Sequence, residues 1–93
     1  MTTDEKVELA HKISNQLVGV THSEWRKWLN FVKMIGFDDG IRLSERLAQS
    51  LSLRSGPKRA YQSIHRAMSK FPILKRMNRE ELLEILGFVA WWL

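Results

Sequence analysis

Thr21-His22-Ser23-Glu24-Trp25-Arg26-Lys27-Trp28-Leu29-Asn30-Phe31-Val32-Lys33-Met34-Ile35-Gly36 decides the fold class. A threonine followed three residues later by glutamate is a capping box. The hydroxyl accepts from a free backbone amide, and the carboxylate reaches back to the threonine amide. Trp25, Trp28, Leu29, Val32 and Ile35 then fall on one stripe of a 3.6-residue helix, a strongly buried face. Gly36 is the left-handed terminator that such a helix needs.

The same grammar extends in both directions. Upstream, Thr2 and Glu5 form another capping box, and Asp4 suits the positive end of the helix dipole. They predict a helix over residues 3 to about 18, with Val7, Ala10, Ile13 and Leu17 on its inner face and Gly19 as its end. Downstream, Phe37-Asp38-Asp39-Gly40 reads as a tight connection. A third helix follows over about 41–53 with Ile41, Leu47, Ala48 and Leu51 inward. Ser55-Gly56-Pro57 breaks it, and Pro57 opens a fourth helix over 57–71, since proline's fixed φ suits a first helical position. Its core side is Ala60, Tyr61, Ile64, Ala67, Met68 and Phe71. Pro72 stops that helix, residues 73–77 bridge, and Asn78 caps a last one. There Glu80 and Glu81 occupy the first turn, and Leu82, Leu83, Ile85, Leu86, Val89 and Ala90 pack inward. Period-two alternation and hairpin dipeptides such as Asn-Gly are absent, so the chain reads as an all-α, compact bundle of about five helices.

At 93 residues the chain suits a single helical domain, 1–93. With 44% hydrophobic and 27% charged residues it lies in the globular range. Cysteine is absent, which excludes disulfides and thiolate metal sites. No apolar run approaches the roughly 18 to 20 residues of a membrane span, and the acidic, polar start does not read as a secretory signal. The expectation is a cytoplasmic protein without membrane partners.

Catalytic machinery is not apparent. His11, His22 and His65 sit on three different elements without metal-ligand spacing, and read as solvated imidazoles. The carboxylate pairs Asp38-Asp39 and Glu80-Glu81 stand where turns and helix starts favour acid, not where two groups converge on a substrate. Nucleophile elbows, Walker loops and dinucleotide fingerprints are missing. No catalytic residue, metal site or cofactor is expected.

The charge distribution is more informative. The net charge is +5, but residues 46–79 carry nine cations and no carboxylate, giving +9 there against −4 elsewhere. On the fourth helix Arg59, Arg66 and Lys70 recur at seven and four residues, beside Lys58, Gln62, Ser63 and Ser69. Arg54, Lys75 and Arg76 flank them. Ordinary solvated faces mix signs, because opposite charges one turn apart stabilise a helix by roughly 0.2–0.5 kcal/mol. A ridge of like charges with hydroxyl and amide donors points to a polyanion that supplies the missing charge. The candidate nucleic-acid-binding set is therefore Arg54, Lys58, Arg59, Gln62, Ser63, Arg66, Lys70, Lys75 and Arg76. An acidic protein partner is the competing reading.

Phe88-Val89-Ala90-Trp91-Trp92-Leu93 finishes the chain. Adjacent tryptophans project about 100° apart on a helix. Either one packs inward and the other covers a neighbouring helix, or Trp91, Trp92 and Leu93 form a protein interface for another subunit or a second copy. The chain reading as a piece of a longer one is a third possibility.

Two family resemblances follow from these residues. Leu43-Ser44-Glu45-Arg46-Leu47-Ala48-Gln49-Ser50-Leu51-Ser52-Leu53-Arg54, with Gly56 to Met68, resembles a helix-turn-helix. Ala48 and Leu51 stand at its small and apolar positions. Ser52 takes the place of the turn glycine, Lys58 falls at an apolar position, and the turn would be about two residues longer than usual. That resemblance implies a DNA-binding regulator, with Lys58, Arg59, Gln62 and Ser63 facing the major groove. Arg59-Ala60-Tyr61 and Arg66-Ala67-Met68, with the final helix Leu86-Gly87-Phe88-Val89-Ala90-Trp91-Trp92-Leu93, resemble the small helical subunit of CRISPR effector (Cascade-like) complexes. Such subunits are basic all-α bundles that hold nucleic-acid backbones within a ribonucleoprotein. This resemblance implies a role in antiviral defence, with RNA or DNA and other protein subunits as partners.

Overall fold

Both threonine boxes close at the start of a helix. Thr2 Oγ1 accepts from the Glu5 amide at 3.2 Å, and the Thr2 amide donates to Glu5 Oε1 at 2.9 Å, opening α1 (Thr3–Gln16). Hydrogen bonding from Thr2, its backbone amide foremost and its hydroxyl second, holds the Glu5 carboxyl below its ordinary value. Thr21 and Glu24 repeat the geometry at 3.2 and 2.9 Å and open α2 (His22–Ile35). Thr21→Ala is expected to lower unfolding free energy by about 1 kcal/mol in a denaturant titration.

The computed structural model describes residues 1–51 and 53–93. Within them lie five α-helices and no strand: α1, α2, α3 (Phe37–Ala48), α4 (Ser55–Ser69) and α5 (Arg79–Val89). Short 3-10 turns cover Pro72–Arg76 and Ala90–Trp92. α1 packs on α5, α2 on α3, and α3 on α4. The radius of gyration, 12.4 Å, is close to the ~12 Å of a compact domain of this length. No helix among the described residues is long and apolar enough to cross a membrane.

One cluster forms the core. Ile13 of α1, Trp25, Trp28 and Val32 of α2, Ile64 and Met68 of α4, Leu74 of the first 3-10 turn, and Ile85 and Leu86 of α5 are all buried there. Each buried tryptophan also satisfies a backbone carbonyl. Trp25 Nε1 donates to Leu86 O and Trp28 Nε1 to Gly40 O, both at 2.9 Å. These bonds tie α2 to α5 and to α3 while keeping the indole N–H groups partnered away from water.

The sequence reading errs around α3. Phe37-Asp38-Asp39-Gly40 is not a connection but the first turn of that helix. Gly36 alone reverses the chain, at φ +93° and ψ +165°, a region reserved for glycine. The Gly40 amide then donates to Gly36 O at 2.9 Å, and Asp38 and Asp39 meet the positive helix end. Gly40 is needed for a different reason than a turn. A Cβ there would lie 2.7 Å from Val32 Cγ2, so its absence lets α3 approach α2.

α3 also stops earlier than the sequence suggests, at Ala48. Leu51, expected inward, is instead 96% exposed in the connection to α4. Ile35, the last residue of α2, is also exposed rather than core-facing. α4 begins two residues before Pro57, which still lies in the first turn, where its missing N–H costs nothing. Residues 49–54 join α3 to α4, against about three to four in a helix-turn-helix. Ser52, at the place of the turn glycine, lies outside the described residues.

Candidate nucleic-acid interface

α4 has two contrasting sides. Ala60, Ile64, Ala67 and Met68 are buried, whereas Arg59, Gln62, Arg66 and the capping Lys70 are exposed. Arg59, Gln62, Ser63, Arg66 and Lys70 line one hollow of about 310 Å³, closed on its other side by Gln16 and Val18 from the end of α1. Five of the residues singled out in the sequence thus converge. The 59, 62, 63, 66, 70 spacing stacks them over three turns, and α1 supplies the far wall.

The cations in the hollow are not neutralised by carboxylates. Among the described residues the ion pairs are Met1–Glu81, Lys6–Glu84, Glu8–Lys12 and Asp39–Arg42, none of which uses a cation of residues 46–79. Lys70 Nζ donates instead to the neutral Gln16 Oε1 at 2.7 Å, which positions the ammonium without cancelling it. Acid collects elsewhere. Glu80, Glu81 and Glu84 share a hollow with Met1 and Lys6, and Glu5 and Glu8 share an adjoining one with Met1. The Glu84 hydrogen bond raises Lys6 above its ordinary value. At 1.5 Å per residue, Glu5 and Gln16 are roughly 16 Å apart along α1, so acid and base occupy opposite ends of that helix.

The flanking cations lie apart. Lys75 lines a different hollow with Asp38, Ile41 and Arg42. Arg54 is exposed just before α4 and Arg76 is exposed in the 3-10 turn, while Lys58 is half-buried in the first turn of α4. None of these four lines the Arg59 hollow.

His65 departs from the expectation of a solvated imidazole: it is half-buried, with Nδ1 enclosed and unpartnered among the described residues. It belongs to a second hollow of about 320 Å³ between α3 and α4, to which Gln62 and Arg66 also contribute. Sequence reasoning missed the walls of both hollows, Gln16 at the end of α1 with Val18 just beyond it, and Glu45 on α3 with Gln49 capping it. No local signal marks them, because they enter only when helices distant in sequence pack against α4. Among the described residues no three His, Asp or Glu side chains gather as a metal site.

At the chain's end neither tryptophan is buried. Trp91, 69% exposed, lies edge-on to Phe88 with ring centres 4.9 Å apart, and Trp92, 41% exposed, lies 4.9 Å from the ring of His11 on α1. His22 Nδ1 donates to Ala90 O at 2.9 Å, anchoring the tightened turn that carries both rings. Leu93 is the half-buried member of this group and packs against the core. No family model, curated protein or solved structure matches the chain.

Proposed function

We propose that this protein is a non-catalytic, basic helical module that binds nucleic acid mainly through phosphates, as a small subunit of a larger ribonucleoprotein assembly of the CRISPR effector kind. The observation that carries the reading is the convergence of Arg59, Arg66 and Lys70 with Gln62 and Ser63 on one hollow, without a carboxylate paired to any of the three cations. Guanidinium and ammonium groups supply charge, and the amide and hydroxyl supply neutral hydrogen bonds, the mixture that phosphate oxygens accept. The exposed rings of Trp91 and Trp92 offer a separate surface to a protein neighbour.

Arg54 and Lys58 at the start of α4 extend the cationic set to about five phosphates. A salt titration of affinity then has a log–log slope of about −4 to −5 on duplex and about −3.5 on single strands. A slope near zero overturns the reading. Stable capture of an acidic protein that survives nuclease treatment, with no binding to nucleic acid, overturns it as well.

A further inference from the structure

The hollow between α3 and α4 has a chemistry unlike that of its neighbour. Glu45 places a carboxylate in its wall, and Gln49, Gln62 and Ser69 add groups that accept or donate. A carboxylate repels phosphate, so this is a poor seat for the backbone and a good one for a neutral group with both donors and acceptors. Its volume, about 320 Å³, lies at the small end of the roughly 300–1,000 Å³ of small-molecule sites.

His65 sharpens the match. Its Nδ1 is shut away from solvent and has no hydrogen-bond partner among the described residues. A buried orphan N–H is disfavoured more than an under-satisfied acceptor, so the ring proton belongs on Nε2. The imidazole then carries its N–H donor at Nε2, in the plane of the ring, and the His65 ring and the Arg66 guanidinium are two planar groups in the lining. Flat imidazole and guanidinium surfaces are those on which unstacked bases lie. Gln62 and Arg66 line both hollows, so a group in one lies within a side chain's reach of a group in the other.

Resting on the phosphate-binding reading, we infer that the α3–α4 hollow holds one unpaired, amino-bearing base of a single strand whose phosphates occupy the adjoining cationic hollow. Glu45 accepts from the exocyclic amino group, as carboxylates do from cytosine N4. Thymine and uracil present a carbonyl oxygen at that edge and are repelled. A duplex keeps its pairing edges inside and cannot enter.

Fluorescence anisotropy with oligodeoxycytidine and oligodeoxythymidine of equal length, at slightly alkaline pH, tests this with the full chain. The wild type is expected to bind the cytidine strand about tenfold more tightly. The two salt slopes should agree, because the strands carry the same phosphates. Glu45→Gln and Glu45→Ala should bring the affinities within about twofold of each other, mainly by tightening the thymidine complex. Glu45 is exposed and forms no ion pair among the described residues, so both variants should melt like the wild type. Equal wild-type affinities with a steep salt slope overturn the base seat and leave the phosphate reading standing. A cytidine preference that survives both substitutions also overturns the seat. Failure to bind either strand overturns the seat and the phosphate reading together.

Discussion

Replacing Arg59, Arg66 and Lys70 together by glutamine is expected to weaken nucleic-acid binding by two to three orders of magnitude at about 0.1 M salt. The size follows from counterion release. Each phosphate neutralised contributes about 0.9 to the duplex salt slope and about 0.7 on single strands. Three lost contacts therefore cost roughly 500-fold on duplex and roughly 100-fold on single strands, relative to a 1 M salt reference. Loss should be similar for unrelated sequences, because backbone contacts carry no sequence information. The matched control is Arg26→Gln, Lys27→Gln and Lys33→Gln, exposed positions on α2 that remove the same net charge away from the hollow. If the control weakens binding as much as the α4 variant, total charge governs the interaction and the hollow has no special part in it. Titration of both variants against one labelled strand decides.

Trp28→Ala is expected to bring the domain close to unfolding. The side chain is completely buried, its ring centre 5.0 Å from that of Trp25 and 6.3 Å from that of Phe37. Truncating a buried tryptophan to alanine costs about 3–5 kcal/mol through lost burial and the cavity left behind. The Gly40 carbonyl also loses the donor that reaches it at 2.9 Å, and Gly40 packs directly against Val32 of α2. Leaving that acceptor bare adds about 1–3 kcal/mol. Against a total stability of about 5–15 kcal/mol for a domain, the sum is a large fraction. The melting midpoint should fall by at least roughly 15 °C, at about 4–8 °C per kcal/mol for a chain of this size. Trp28→Phe separates the contributions, since it keeps most of the buried ring and removes only the N–H. Its loss should be well under half that of alanine. A midpoint within a few degrees of wild type for Trp28→Ala would mean that this ring is not the junction of α2 and α3 that its burial and its bond to Gly40 imply.

What the chain discloses in advance divides by range. The boxes at Thr2 and Thr21, the Asn78 cap and the stripe Trp25, Trp28, Leu29, Val32 were readable because each is an exchange among residues within one or two turns. The start of α3 was not. Phe37-Asp38-Asp39-Gly40 has turn composition, and only the close approach of Gly40 to Val32 shows why a glycine sits inside a helix. The misplacement of Leu51 has a separate origin, the end of α3 at Ala48 three residues before it. The same division applies to the site. Arg59, Arg66 and Lys70 share a face by helical period alone, while Gln16, Val18, Glu45 and Gln49 reach α4 only through packing. Glu45 shows the difference most clearly. In sequence it is the last carboxylate before the acid-free stretch 46–79, yet in space it stands in a hollow with Arg66.

The placement of acid and base at opposite ends of α1 also makes the whole protein an electric dipole. A uniformly positive body would be drawn to a polyanion in any attitude and would then have to reorient on the surface. A body with a negative end experiences a torque in the field of a polyanion, which turns the α4 ridge toward it. On the proposed phosphate-binding reading, faster productive encounter and discrimination against the wrong face are the expected gains of this asymmetry, even though the excess charge over the whole molecule is only +5.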